Sequence, residues 1–346
     1  MINPEKRARF IDALQFLRTI TLQKLWNGFL LRFSYLLSKN TGYYIHWGKP
    51  ESLSIEPTNL CNLKCPECPS GNNTMQRARM FLSKEAYFNT IKQSYKHVTS
   101  LQLYFQGEPF LHPSIFDFIK FSHQHQIYTS TSTNGQFLTH ENCIKIIESG
   151  LHRLIISLDG ITQDVYEKYR VGGSLETVIS GIKTLVDLKR EKRSNTPYLV
   201  IQFVVFKTNE HQMESVKKLA KTWQVDALKF KSAQIEDFEN GSDLIPKNEK
   251  YSRYAEDKNG AFFLKRNPSF KCRRIWNGSV VSANNELLPC CFDKNASHSY
   301  GNLKKDSLND LFRSQVANSI RKQVWMKNRQ PEMCKNCTEG LKQIWF

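Results

Sequence analysis

Three cysteines lie within eight residues, in the segment Glu56-Pro57-Thr58-Asn59-Leu60-Cys61-Asn62-Leu63-Lys64-Cys65-Pro66-Glu67-Cys68-Pro69. A loop this short can curl three thiolates around one metal centre. Structural zinc takes four protein ligands, and a nearby fourth is missing. A cubane iron–sulfur cluster held by three protein thiolates keeps one iron open, and an open iron can take a substrate or cofactor directly. Pro66 and Pro69 restrict the backbone on either side of Cys68.

The rest of the chain gives the metal reading its context. No run of about 18 apolar residues is free of charge, and the basic N-terminus lacks the apolar core and cleavage site of a secretory signal. A cytoplasmic location is therefore expected, where clustered cysteines point to metal or redox chemistry rather than disulfides. Cys272, Cys290, Cys291, Cys334 and Cys337 form a second group. Four cysteines make a closed site, and by ligand type zinc and a 4Fe–4S cluster both suit it. The stretch from Val280 to Cys291 reads as a hairpin with Asn284-Asn285 at its turn. Cys143 sits alone in a helical apolar pattern and reads as a buried core thiol.

Strands and helices alternate between residues 50 and 235. Strands are expected at Ser52–Glu56, Ser100–Phe105, Ile127–Ser132, His152–Leu158, Tyr198–Phe206 and Asp226–Lys231, with helical patterns between them. Such alternation predicts a parallel sheet with helices outside. Six units are too few for a closed eight-fold barrel, so the expected fold is α/β, a partial (β/α)6 TIM-like barrel with its chemistry at the C-terminal strand ends. Residues 1–49 form an N-terminal helical extension. Its apolar positions Phe10, Leu14, Leu17, Leu25, Phe29, Phe33 and Leu36 recur near helical period, interrupted by Arg18, Lys24 and Arg32. That face could be a peripheral membrane contact or a dimer contact; the simplest expectation is packing on the main domain. Polar residues 236–259 read as a linker. Residues 260–346 form a small cysteine-rich domain, too short for a large core of its own, where metal would add stability.

The Cys61, Cys65, Cys68 spacing after a first strand resembles the radical S-adenosylmethionine (SAM) superfamily, from about residue 50 to the end of the chain. The resemblance implies that these cysteines hold a 4Fe–4S cluster whose open iron chelates SAM. Reductive cleavage of SAM would then yield a 5′-deoxyadenosyl radical that abstracts a substrate hydrogen. The second strand ends in Gln106-Gly107-Glu108-Pro109, similar to the family's Gly-Gly-Glu-Pro, which holds the SAM amino group; Gln106 replaces the first glycine. The third ends in Thr133-Asn134-Gly135, similar to the turn near the nucleoside. The fourth ends in Ser157-Leu158-Asp159-Gly160, with Arg170 downstream. By resemblance Ser157 and Arg170 are candidates for the SAM carboxylate or ribose, and Asp159 for the ribose or substrate. The second cysteine group resembles the SPASM and shorter twitch domains, which implies an auxiliary 4Fe–4S cluster on Cys272, Cys290, Cys334 and Cys337. The preceding Leu-Pro and the spacing favour Cys290 over Cys291.

The net charge of +17 is uneven. Residues 1–50 hold 8 Lys/Arg against 2 Asp/Glu, residues 51–259 hold 26 against 24, and residues 260–346 hold 15 against 6. Basic ends suit an anionic partner, although solubility alone can account for them. The expected function is oxidoreductase chemistry: dehydrogenation of a small alcohol or amine metabolite, or modification of a peptide. The substrate electron would pass to the auxiliary cluster, and an external donor such as flavodoxin or ferredoxin would supply the reducing electron. Lys229, Lys231 and Arg170 are candidates for the substrate base. The alternative is a zinc-stabilised nucleic-acid-binding module, which the near-neutral middle and the missing fourth ligand oppose. A two-cluster electron carrier leaves the SAM-like motifs without a role.

Overall fold

Alternate residues of Leu53–Ile55, Leu101–Leu103, Leu154–Leu158 and Leu199–Val205 are apolar, so each segment can bury one face beneath helices when extended. The computed structural model describes residues 4–265, 271–326 and 331–337. Two helices come first, α1 (Pro4–Arg18) and α2 (Leu22–Thr41). Six parallel strands follow: β1 (Ser52–Ile55), β2 (Ser100–Gln102), β3 (Tyr128–Thr133), β4 (Arg153–Ser157), β5 (Tyr198–Val205) and β6 (Ala227–Ser232). A short turn of helix, α3 (Pro69–Asn72), closes the cysteine loop. Between the strands run α4 (Lys84–Ser94), α5 (Ile115–Gln124), α6 (His140–Glu148), α7 (Gln163–Glu167), α8 (Leu175–Glu191) and α9 (Met213–Thr222).

The two faces of this sheet differ chemically. Outward-facing Leu53, Ile55, Leu101, Leu154, Ile156, Leu199, Ile201 and Phe203 pack with helical Ile91, Phe118, Ile146 and Ile182 in one buried cluster. The opposite, inner positions include Ser54, Gln102, Ser130, Ser132, Ser157, Gln202, Lys229 and Lys231, while Ile155, Val200 and Ala227 on the same face bury with Ala8 of α1 at the N-terminal end. Toward the C-terminal strand ends that face carries hydroxyls, amides and amines, a poor core and a good polar lining.

The C-terminal region joins this sheet instead of standing apart. After the small pair β7 (Tyr254–Glu256) and β8 (Phe262–Leu264) come α10 (Arg273–Asn277), β9 (Gly278–Val281), β10 (Glu286–Leu288) and β11 (Gly301–Asn302), then α11 (Leu308–Arg313) and α12 (Gln315–Trp325). β9 pairs in parallel with β1, giving a nine-stranded order β11-β10-β9-β1-β2-β3-β4-β5-β6. The sheet ends at β6 and β11, so the barrel is open among the described residues. Ile275, Val281, Leu287, Phe312, Ile320 and Val324 share the barrel's buried cluster. A buried ion pair locks the junction: both Arg77 guanidinium nitrogens donate to Glu56, at 2.7 and 2.8 Å, and Glu56 also accepts from the Ala283 amide.

Two expectations change. The polar segment 236–259 is packed, because its few apolar residues anchor it: Ile245 and Tyr254 bury with Phe206, Ala233 and Ile235. The N-terminal helices do pack on the main domain, but through the other face. Asp12 pairs with Arg153 and accepts from Tyr128. The Lys24 ammonium donates to Gln126 O at 2.5 Å, and Arg32 pairs with Glu51. Leu31 and Tyr35 seat against Trp276. All these partners lie at the N-terminal ends of the strands. Phe10, Leu14, Leu17, Leu25, Phe29, Phe33 and Leu36 are all exposed.

Candidate functional site

The cysteine loop leaves β1 and is drawn back to it. Leu82 N donates to Pro57 O, and Thr58 bridges Phe81. Asn59 clamps the return, donating to Ala78 O at 2.8 Å and accepting from the Met80 amide at 2.8 Å. Inside this clamp Cys68 N donates to Cys65 O, and Cys68 O accepts from Gly71 N and Asn72 N. Position 71 must be glycine: a Cβ there would sit 2.5 Å from Cys65 N and 2.8 Å from Cys65 O. The role of Gly71 was not legible beforehand, since the close approach is between backbones.

Each thiol meets a polar group from a different segment, two of them at strand ends and the third after α7. Asn134 Nδ2 lies 3.9 Å from Cys61 Sγ and donates to Asn62 Oδ1 at 2.8 Å. Arg170 lies 3.8 Å from Cys65 Sγ. Gln106, the residue that departs from the family pattern, brings Oε1 within 3.8 Å of Cys68 Sγ. Gly107 has φ 73°, and a Cβ there would meet Thr58 O at 2.5 Å and Leu60 O at 2.6 Å, so the strand end can cross the loop only without a side chain. Its amide donates to Ser70 Oγ at 3.1 Å.

The remaining candidates support this ring more than they face its centre. Glu108 is buried, and its carboxylate accepts from Phe110 N at 3.1 Å, Thr133 Oγ1 at 2.8 Å and Asn134 N at 2.7 Å. Burial pushes its carboxyl up to about 7, against the pull of these donors. It therefore ties the β2 and β3 ends together, while Pro109 starts the turn behind it. Asp159 is likewise buried; it takes Arg170 Nε at 2.7 Å and Val204 N at 2.7 Å. Asp159 thus aims Arg170 at the cysteine loop. Ser157, on the inner face of β4, forms no side-chain hydrogen bond among the described residues. Lys229 and Lys231 project from the inner face of β6, Lys229 with its ammonium partly enclosed. Burial and the nearby Arg153 guanidinium lower the Lys229 ammonium from its ordinary value.

The second centre forms between segments far apart in the chain. Cys272, Cys290, Cys334 and Cys337 line one cavity with Ile275, Val324 and Met333. Cys291 is not among its walls and lies 3.2 Å from an Arg274 nitrogen. The cavity thus gathers the four cysteines named from the sequence and leaves Cys291 out.

Both donor sets fit an iron–sulfur cluster. Burial pushes the Cys61 thiol up to about 11 and the Cys334 thiol up to about 12, and holds Cys65 above its usual range. Such thiols ionise only beside a strong positive charge, which cluster iron supplies.

The sequence model of the radical SAM superfamily matches residues 55–220, and that of SPASM, an iron–sulfur cluster-binding domain, matches residues 272–338. The chain belongs to the radical SAM superfamily. As a radical SAM enzyme it binds SAM and a 4Fe–4S cluster in the barrel and carries auxiliary iron–sulfur in its SPASM region. It is 25% identical over 315 residues to GTP 3′,8-cyclase of Nautilia profundicola, covering 80% of this chain and 93% of that one. It is 23% identical to the tungsten-containing aldehyde ferredoxin oxidoreductase cofactor-modifying protein of Pyrococcus furiosus, covering 83% and 86%. In fold it matches SAM-bound SuiB of Streptococcus suis with TM-score 0.64 at 16% identity, over 89% of this chain and 76% of that one. SuiB bound to its precursor peptide SuiA matches with TM-score 0.61 at 16% identity, over 84% and 70%. No helix among the described residues is long and apolar enough to cross a membrane.

Proposed function

We propose that this enzyme is a radical SAM oxidoreductase acting on a polar substrate held in the barrel lumen. When bound, the cofactors supply one electron to SAM, a 5′-deoxyadenosyl radical that takes a substrate hydrogen atom, and an auxiliary acceptor for the electron left behind. Cys61, Cys65 and Cys68 would hold the first cluster, and Cys272, Cys290, Cys334 and Cys337 the single auxiliary one. Asn134 and Arg170 bracket the cysteine loop and would orient SAM, and Ser157, buried at the end of β4, would assist them. Gly107 lets the β2 terminus lie against the loop backbone at Thr58 and Leu60, beside which the methionine end of SAM would bind, and Glu108 and Asp159 hold these groups in place.

The observation that carries the reading is the polar inner face leading to the cysteine loop. Its serines and amides, with Lys231, suit a hydroxylated or amine metabolite, including an anionic one, and Lys231 rather than Lys229, which lies nearer Arg153 and Asp12, would take the proton an oxidised alcohol releases. A peptide is the second reading, favoured by the likeness in fold to SuiB with its precursor peptide. A cytoplasmic enzyme fed by an acidic flavodoxin or ferredoxin would match the basic surface. The cluster and SAM chemistry displace the zinc-module reading. Anaerobic purification tests the proposal: roughly eight irons per chain and 5′-deoxyadenosine on reduction with SAM are expected. Zinc without iron, or iron without SAM cleavage, overturns it.

A further inference from the structure

A helix on a protein surface ordinarily turns its apolar side inward. α2 does the reverse. Its buried face carries Lys24, Asn27, Gly28, Ser34 and Ser38 beside Leu31 and Tyr35. Its outward face carries Leu22, Trp26, Phe29, Phe33 and Leu36, spaced at four, three, four and three residues. Leu22 is 84% exposed, Trp26 62% and Phe29 51%. The rings form a surface ladder, with Trp26 stacked on Phe29 at 5.4 Å, Phe29 on Phe33 at 5.6 Å, and Trp47 6.0 Å beyond. α1 adds Phe10, Leu14 and Leu17. Eleven of the sixteen large apolar side chains exposed among the described residues lie between Phe10 and Trp47, so the patch is concentrated in one region.

The charges around it are six cations against one anion. Between Pro4 and Trp47 the exposed charged residues are Glu5 and the cations Lys6, Arg7, Arg9, Arg18, Arg32 and Lys39. Lys39 follows Leu36 by three positions and Arg18 follows Leu14 by four, which sets each beside the apolar stripe of its helix. We propose that the outward face of α1 and α2 docks this enzyme onto an anionic lipid bilayer, with α2 lying in the plane of the interface. At 20 residues α2 is about 30 Å long and carries a tryptophan-bearing apolar side and basic flanks, the features of an interfacial helix. A second copy of the chain is the poorer occupant, because it would bring a matching excess of cations against this one. The helices dock at the N-terminal ends of the strands, through Asp12, Lys24 and Arg32, whereas the cysteine loop lies at the C-terminal ends. The docked enzyme keeps its site mouth away from the lipid.

Vesicle flotation of the cluster-loaded protein tests this. It should float with vesicles of equimolar phosphatidylcholine and phosphatidylglycerol, less so at high salt, and poorly with phosphatidylcholine alone. The double variant Trp26→Glu/Phe29→Glu should lose roughly tenfold or more of the bound fraction and keep SAM cleavage. The surface pair Arg18→Glu/Lys39→Glu should weaken binding to the anionic vesicles and not disturb the fold. A wild-type protein that stays with the soluble fraction, or binds both vesicle types equally, overturns the proposal. So does a solution dimer that Trp26→Glu/Phe29→Glu converts to monomers.

Discussion

The two cysteine centres are assembled by opposite means. The first takes three thiols from one eight-residue loop; neighbouring strand ends supply Asn134 and Gln106 around it, and the segment after α7 supplies Arg170. The second takes four thiols from three separate stretches between Cys272 and Cys337, brought together on one cavity. A short loop loses little entropy on closing about a cluster, while distant segments meet only after the sheet and helices between them have folded. The first centre is therefore a local device on a rigid scaffold, and the second is a product of the whole C-terminal fold.

Six substitutions, in four tests, break or sharpen that contrast, the tests running in falling order of effect. Cys65→Ala should abolish 5′-deoxyadenosine formation and still retain about half of the iron, as two independently loaded cubanes require; loss of all iron would show the centres to be coupled. Cys290→Ala should remove the auxiliary iron and stop substrate oxidation while SAM cleavage continues, and Cys291→Ala should leave both iron counts intact. The reverse result would put Cys291 in the ligand set. Arg77→Met strands the Glu56 carboxylate at the junction of barrel and C-terminal region, so denaturant unfolding should show a loss of about 3–5 kcal/mol. Adding Glu56→Gln should recover part of it, and a loss confined to the barrel would show that the two regions unfold separately. Cys143→Ala should cost only about 1 kcal/mol and leave both centres loaded, because this thiol is fully buried among apolar residues of the core.

Much of the barrel was legible because its signals are local. The six strand segments follow from alternation, and the structure places β1 to β6 where that pattern puts them, while the motifs at Gly107 and Asn134 were read from the family resemblance. The supporting contacts were not legible. Nothing near Arg77 in sequence names Glu56 as its partner, and Gly71 matters only because the Cys65 backbone passes beside it. Glu108 was expected near the SAM amino group, but its carboxylate is taken up by Phe110, Thr133 and Asn134. That distinction depends on side-chain direction, which spacing does not encode.

The chain's residues alone determined the chemistry, since thiol count and spacing decide what a loop can ligate and periodicity decides which segments are strands. Tertiary structure decided how those parts are shared out. It made β9 a neighbour of β1, packed the polar segment before β7, chose Cys290 over Cys291 for the cavity, and turned the apolar side of α2 to the outside. Each of these is a choice between surfaces of similar composition. Only the buried partners supplied from elsewhere in the fold, Trp276 for Tyr35 and Arg153 for Asp12, select one over the other.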